Sequence, residues 1–210
     1  MAGFVFDSKT FITAADFENW TGILASTLTT AEQNKIQMRV DGICAAMFEY
    51  CGLDGFKSAS YSETFDGNGS DLIIPRMFPI TAITSLKYAH DGVFTAQESL
   101  DSTEYAIDSS ARYVVLREGI LGTRGRSSMQ LVYTAGFSTI PRSLISAFFK
   151  QYDFDAGAGG QNIGMKSISK MNESATFDSR DNGLISEVRS ILEPYRRIEP
   201  AASTMFMRCT

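Results

Sequence analysis

Two stretches of this sequence have the residue types and spacing of ligand chemistry. Asp66-Gly67-Asn68-Gly69-Ser70-Asp71 places carboxylates and small polar residues in a Gly-rich run, the material of a calcium loop or a phosphate cradle. A calcium loop of the EF-hand type needs Gly at its sixth position and a bidentate acid at its twelfth, and here those positions are Asp71 and Met77. The spacing instead suits a hairpin turn between strands at Tyr61–Phe65 and Leu72–Ile74, because such turns need positive φ. The second stretch, GGQNIGMKS at residues 159–167, approaches a phosphate loop but puts Met165 between the second Gly and Lys166. That loop works only when backbone amides and the Lys converge on one phosphate, and this run follows a helix and not a strand.

Other chemistry has little to stand on. The single histidine, His90, lies in YAHDGVF at the end of a strand, where an exposed turn residue is the simpler reading than a general base. There is no Gly-x-Ser-x-Gly elbow, Cys-x-x-Cys pair or His-Glu-x-x-His helix. Of three cysteines, Cys44 and Cys51 share a helical face seven residues apart and belong to the core, and Cys209 is expected to be free. They form no disulfide framework, which fits a reducing compartment. No enzyme activity, cofactor or metal is expected.

Charge is more informative. The chain of 210 residues has a net charge of −5 and 44% hydrophobic residues, enough for one sizeable core and not the balance of a generic nucleic-acid binder. Between Ala89 and Ala111 lie Asp91, Glu98, Asp101, Glu104 and Asp108 with no Lys or Arg. The following segment carries Arg112, Arg117, Arg124 and Arg126 against Glu118 alone. Such a split suits complementary faces on neighbouring copies, with Asp101, Glu104, Asp108, Arg117, Arg124 and Arg126 as interface candidates. A polarised, solvated surface is the alternative. In LEPYRRIEPAASTMFMRCT, Tyr195, Arg196 and Arg197 close a helix with cations at its negative end. Met205, Phe206 and Met207 follow a proline as large apolar residues in a tail, and either dock on a partner or pack on the chain's own surface.

The elements that must position these residues follow from periodicity. Thr13-Ala14-Ala15-Asp16 opens a helix with Phe17, Trp20, Ile23 and Leu24 on one face. Thr29-Thr30-Ala31-Glu32 reads as a capping box before a helix burying Ile36, Val40, Ile43, Cys44, Met47, Phe48 and Cys51, stopped by Gly52. From Lys57 the period is two: Tyr61–Phe65, Leu72–Ile74, Ile83–Tyr88, Glu104–Ile107, Tyr113–Arg117 and Ser128–Tyr133 read as antiparallel strands. Pro75 and Pro79 limit strand extension at an edge. After Pro141 comes a helix with the stripe Leu144, Ile145, Phe148 and Phe149. A Gly-rich stretch, 155–164, and a Ser-rich one to Asp181 lead to a last helix from Gly183 to Arg197. No apolar run approaches a membrane span, and MAGFVFDSKTF lacks the pattern of a signal peptide, so a soluble cytosolic product is expected. The fold class predicted is α+β: a small helical bundle with an inserted antiparallel β-rich module and a C-terminal docking tail. The divisions are 1–56 (helices), 57–137 (β-rich insert), 138–200 (helices with a Gly/Ser-rich connection, packing with 1–56) and 201–210 (extended tail).

Four stretches in this order resemble the head–tail connector (adaptor) proteins of tailed bacteriophages: TTAEQNKIQMRVDGICAAMFEYCG; FDGNGSDLIIPRMFPITAITSLKY; LVYTAGFSTIPRSLISAFF; and GMKSISKMNESATFD joined to ILEPYRRI. The middle, 57–137, is longer than the hairpin of the smallest members. The resemblance implies a structural virion component: a ring of about a dozen copies beneath the portal protein, joining capsid to tail and continuing the DNA channel. Its implied partners are the portal, a downstream tail or neck protein, and further copies of itself. DNA passes without specific binding, no membrane is involved, and the place is the virion neck after assembly in the host cytoplasm. Tyr195, Arg196, Arg197, Met205, Phe206 and Met207 would meet the portal. A stopper or tail terminator is the neighbouring alternative, and a ligand-binding module using the Gly-rich loop 157–164 a more distant one.

Overall fold

The computed structural model describes residues 4–7, 9–67, 71–89, 94, 99–117, 125–157, 167–170, 173–176 and 183–197. The chain divides into two compact units. One comprises Met1–Phe6, Ile12–Leu53 and Ser143–Thr210, and the other Asp7–Phe11 with Asp54–Arg142. The fold is mixed α+β with antiparallel sheets, as the periodicity predicts.

In the first unit, α1 (Ala14–Thr21) starts on a full capping box. The Asp16 amide donates to Thr13 Oγ1 at 3.0 Å and the Asp16 carboxylate accepts the Thr13 amide at 3.2 Å. Gly22, at φ +69°, then ends the helix in the left-handed region. That early stop changes the expected apolar face. Phe17 is wholly buried against Phe4, Phe6 and Tyr152, whereas Leu24 lies past the helix end and Trp20 and Leu24 are about half exposed. Trp20 still has partners: its ring stacks on Phe149 at 4.7 Å and its Nε1 donates to Asp153 at 3.3 Å.

A short 3-10 turn, Ala25–Thr27, leads to α2 (Thr30–Cys51). The predicted Thr29–Glu32 capping box is present, and its hydrogen bonds hold the Glu32 carboxyl below its ordinary range. Val40, Ile43, Cys44, Met47, Phe48 and Cys51 are buried, with Ile36 half-buried at the margin. The helix closes in a Schellman motif: the Leu53 amide reaches the Phe48 carbonyl at 3.0 Å and the Gly52 amide the Glu49 carbonyl at 3.1 Å. The third helix, α3 (Arg142–Ala156), buries Leu144, Ala147, Phe148, Phe149, Gln151 and Tyr152, with Ile145 half-buried. Its Phe148 packs edge-on to Phe149 at 5.2 Å.

Within the Ser-rich stretch, where no regular structure is predicted, β7 (Ser167–Lys170) and β8 (Glu173–Thr176) form an antiparallel pair. The last helix is shorter than its predicted span. It runs as α4 (Ser186–Leu192) and tightens into a 3-10 turn at Glu193–Tyr195. Pro194 is the reason, since it lacks the amide that an α-helix needs there. Buried Gln151 ties α3 to the lead-in of α4: its Oε1 accepts the Ile185 amide at 3.0 Å while its Nε2 donates to Asp155 at 3.0 Å and the Gly183 carbonyl at 3.3 Å.

The second unit is built on β6 (Gly125–Ala135), the central strand of the sheet β1-β6-β3, where β1 is Ala59–Gly67 and β3 is Ile80–Tyr88. Met129, Leu131, Tyr133 and Ala135 alternate inward along β6 and are buried. A second sheet has the order β2-β5-β4: β2 (Leu72–Ile73), β5 (Val114–Leu116) and β4 (Tyr105–Ile107). All pairings in both sheets are antiparallel.

The strands lie where alternation places them, but the β1–β2 hairpin expected from Asp66–Asp71 does not form. Tyr61 pairs with Tyr133 of β6, and Leu72 pairs with Val115 of β5 in the other sheet. Two residues of β2 offer a short ladder to β1, while β6 offers eleven with an alternating buried face. Pro75 and Pro79 do adjoin edge strands, following β2 and preceding β3. Gly136 closes β6 at φ +105°, where an added Cβ would lie 2.4 Å from the Lys57 carbonyl oxygen. Only glycine admits that approach, which lets the Ser58 amide reach the Phe137 carbonyl at 3.1 Å and the Phe137 amide the Phe56 carbonyl at 2.8 Å.

Candidate interaction surfaces

Of the C-terminal candidates, Arg196 and Arg197 adjoin the end of α2, and Tyr195 adjoins the start of α3. The Arg197 amide donates to the Cys51 carbonyl at 2.8 Å, satisfying one of the four carbonyls that a helix end leaves open. The Arg196 guanidinium lies 5.2 Å from the Tyr50 ring centroid and bonds Glu193 at 3.1 Å, and the Tyr50 hydroxyl donates to Glu193 at 2.8 Å. Burial, then the Glu193 carboxylate, raises the Tyr50 hydroxyl above its ordinary pKa. The Tyr195 and Ser143 hydroxyls are 2.7 Å apart, which joins the turn to the start of α3. Arg196 caps the turn that ends the last helix, as its place in the sequence predicts, and its guanidinium also reaches Tyr50 in the last turn of α2. The Arg196–Glu193 pair is half exposed, so it is worth at most ~1 kcal/mol and orients more than it stabilises. Met205, Phe206 and Met207 lie outside the described residues.

The charged candidates gather around β4 and β5. Asp101 accepts the Thr103 amide and hydroxyl, each at 2.9 Å, and Glu104 accepts the Asp101 amide at 2.6 Å. Asp108 accepts the Ser110 amide at 2.9 Å and its hydroxyl. These bonds hold Asp101 and Asp108 below the ordinary carboxyl range. The Arg117 amide donates to the Glu104 carbonyl at 2.9 Å, so the acidic and basic runs meet across one strand pair. Arg112 lies over the Phe78 ring at 4.4 Å. Arg126 falls on β6, in the other sheet, with its side chain outside the described set; Arg124, His90, Asp91, Glu98 and Cys209 also lie outside it. Gly157 ends α3, and the rest of the Gly-rich loop, 158–164, is outside as well.

Sequence reasoning missed a polar cluster in the second unit. Tyr133, fully buried, donates its hydroxyl to Glu63 and accepts the Met77 amide at 3.1 Å. Glu63 also accepts the Arg76 amide at 3.0 Å, and the Arg76 guanidinium reaches Asp54 at 2.7 Å. Burial and then the Glu63 bond push the Tyr133 phenol far above its usual pKa. The cluster pins the Arg76–Met77 segment onto β1 and β6. Its only sequence signal is Glu63, the one charged residue in the predicted strand Tyr61–Phe65. Cys51, buried on α2, has its thiol pushed up to about 12 by desolvation, which leaves it protonated and unreactive at neutral pH. Among the described residues no helix is long and apolar enough to cross a membrane, and no three His, Cys, Asp or Glu side chains converge as metal ligands.

No family model matches the chain, and neither does any curated protein. Among solved structures it is similar to a chain in the virion of the native gene transfer agent (GTA) particle, with a TM-score of 0.58 and 15% identity over 96% of this chain and 97% of that one. It is similar over the same shares to a chain in the neck of the empty GTA particle computed with C6 symmetry, at 0.57 and 15%. A third similar chain is in the neck of the native GTA particle computed with C12 symmetry, at 0.54 and 13%, again over 96% and 97%. At this identity the likeness is one of fold.

Proposed function

We propose that this protein is a structural component of the neck of a tailed-phage-like particle, an adaptor that forms a ring beneath the portal, links capsid to tail and continues the DNA channel. One observation carries it: the fold runs over nearly the whole length of chains from GTA necks resolved with C6 and C12 symmetry. Cyclic symmetry in a ring requires a head-to-tail contact between two different faces of one subunit. Asp101, Glu104, Asp108, Arg117, Arg124 and Arg126 are proposed to contribute charge to that contact. A net charge of −5 suits a passage through which DNA moves without sticking. Tyr195, Arg196 and Arg197 are proposed as the root of the tail from which Met205, Phe206 and Met207 would reach the portal. The work of such a protein is assembly and not catalysis.

Native mass spectrometry across a concentration range, alone and with the portal protein, tests this. A closed ring of about a dozen subunits in either condition is the expected result. Deleting residues 201–210 should remove portal binding and leave the circular-dichroism melt unchanged. A chain that stays monomeric and ignores the portal would overturn the proposal.

A further inference from the structure

Three of the four sheet edges among the described residues of the second unit are guarded. Among the described residues, β2 and β4 are edges of two and three residues, too short to template another strand. The outer side of β3 is occupied in part by its own chain: the Leu100 amide reaches the Leu86 carbonyl at 2.9 Å, the Ile80 amide reaches the Ala111 carbonyl at 2.7 Å, and Lys87 bridges Ser99. The edge strand β1 has, among the described residues, none of these protections. It runs nine residues with no proline and no lysine, and its ladder with β6 is regular from Ala59 to Phe65. Over those residues its backbone makes no described hydrogen bond other than to β6. Ser60, Ser62 and Thr64 lie exposed along one face, small and neutral.

The first unit holds the converse feature. Strands β7 and β8 pair only with each other among the described residues, and a lone two-stranded ladder is marginal in water. Gln151 anchors the lead-in to α4 on α3. Of the two strands β7 carries Lys170, while β8 carries Glu173. The acceptor β1 carries Glu63 and Asp66 and no cation, which favours β7 over β8 as its neighbour.

We infer that the open edge of β1 accepts β7 from a second copy of this chain, a strand addition that joins neighbouring subunits. Backbone hydrogen bonds would supply the affinity, and the Lys170 charge against an acidic strand the choice of partner strand. The inference rests on the ring proposed above, and it adds to the charged residues of the head-to-tail contact a β-sheet continued from one copy to the next.

The test uses the full chain, by native mass spectrometry and circular dichroism. Ser62→Lys with Thr64→Lys places charge on the exposed edge without touching a buried residue. It should raise the protein concentration needed for ring formation at least about tenfold while leaving the melt unchanged. In a Cys209→Ser background, Ser169→Cys combined in turn with Ser60→Cys, Ser62→Cys or Thr64→Cys should give disulfide-linked oligomers on oxidation for at least one pair. Rings of S62K/T64K at the wild-type concentration would overturn the inference. Should that variant lose its fold, the absence of any cross-link in all three cysteine pairs would overturn it instead. A wild-type chain that forms no ring with or without portal would fail the neck proposal itself, a separate result.

Discussion

Removing one hydroxyl, by Tyr133→Phe, tests how the second unit holds its irregular segment. The Tyr133 oxygen accepts the Met77 amide at 3.1 Å, and Met77 is fully buried, so no water can replace the lost acceptor. A stranded buried donor costs ~1–3 kcal/mol. The hydroxyl also donates to Glu63, but that carboxylate is partly exposed and keeps the Arg76 amide at 3.0 Å, so resolvation limits this loss to about 1 kcal/mol. Together they give a destabilisation of about 2–4 kcal/mol, with no cavity contribution because the ring is retained. Urea denaturation followed by circular dichroism measures the total, and amide exchange locates it: Met77 should exchange at least about tenfold faster. Glu63→Gln keeps an acceptor for both donors and should cost less than Tyr133→Phe. A change below about 0.5 kcal/mol, with Met77 exchange unaltered, would refute the claim that this hydroxyl holds the segment.

Three further predictions concern the scaffold. Gly136→Ala should destabilise by about 2–4 kcal/mol in urea, because the new Cβ meets the Lys57 carbonyl at 2.4 Å and the backbone keeps φ +105°; a shift under about 0.5 kcal/mol would show the Lys57–Phe137 bridge to be readily remodelled. Gln151→Leu should cost about 2–3 kcal/mol by stranding the Ile185 amide, seen as a lower urea midpoint and faster exchange at Ile185. Burial raises the hydroxyls of Tyr50, Tyr61, Tyr105, Tyr133 and Tyr152 in the fold. Raised folded values mean that stability is whole below the unfolded tyrosine value of about 10 and falls as pH climbs through the raised ones. Cys51, at about 12 in the fold, adds an earlier loss from roughly pH 8.5 upward. Equilibrium unfolding between pH 7 and 11 should therefore show a decline that begins near pH 8.5 and steepens past pH 10, and flat stability to pH 11 would contradict these burials.

The sequence by itself determined what neighbours along the chain decide. The Thr29–Glu32 box and Gly52 bound α2 because a cap bonds amides three residues away and a glycine frees one φ. The strand positions followed from alternation, and the α+β class from the change of period near Lys57. Pro194 even held the signal for the shortened α4, though the apolar spacing ran past it.

Tertiary structure decided whatever depends on which distant surfaces meet. Alternation in β1 and β2 says that each is a strand but not which strand each pairs with. β1 went to the eleven-residue β6, whose buried face serves β1 and β3 at once, and β2 went to β5. Trp20 fits the helical spacing of a core residue, yet Gly22 ends α1 and leaves its ring half exposed on Phe149. Glu63 and Tyr133 are 70 residues apart, and no local pattern couples them. Their bond forms because β1 and β6 share a register that sets Tyr61 against Tyr133. Hydrogen bonds within a helix turn are written in spacing, whereas a ladder's register is settled by the packing of the faces it brings together.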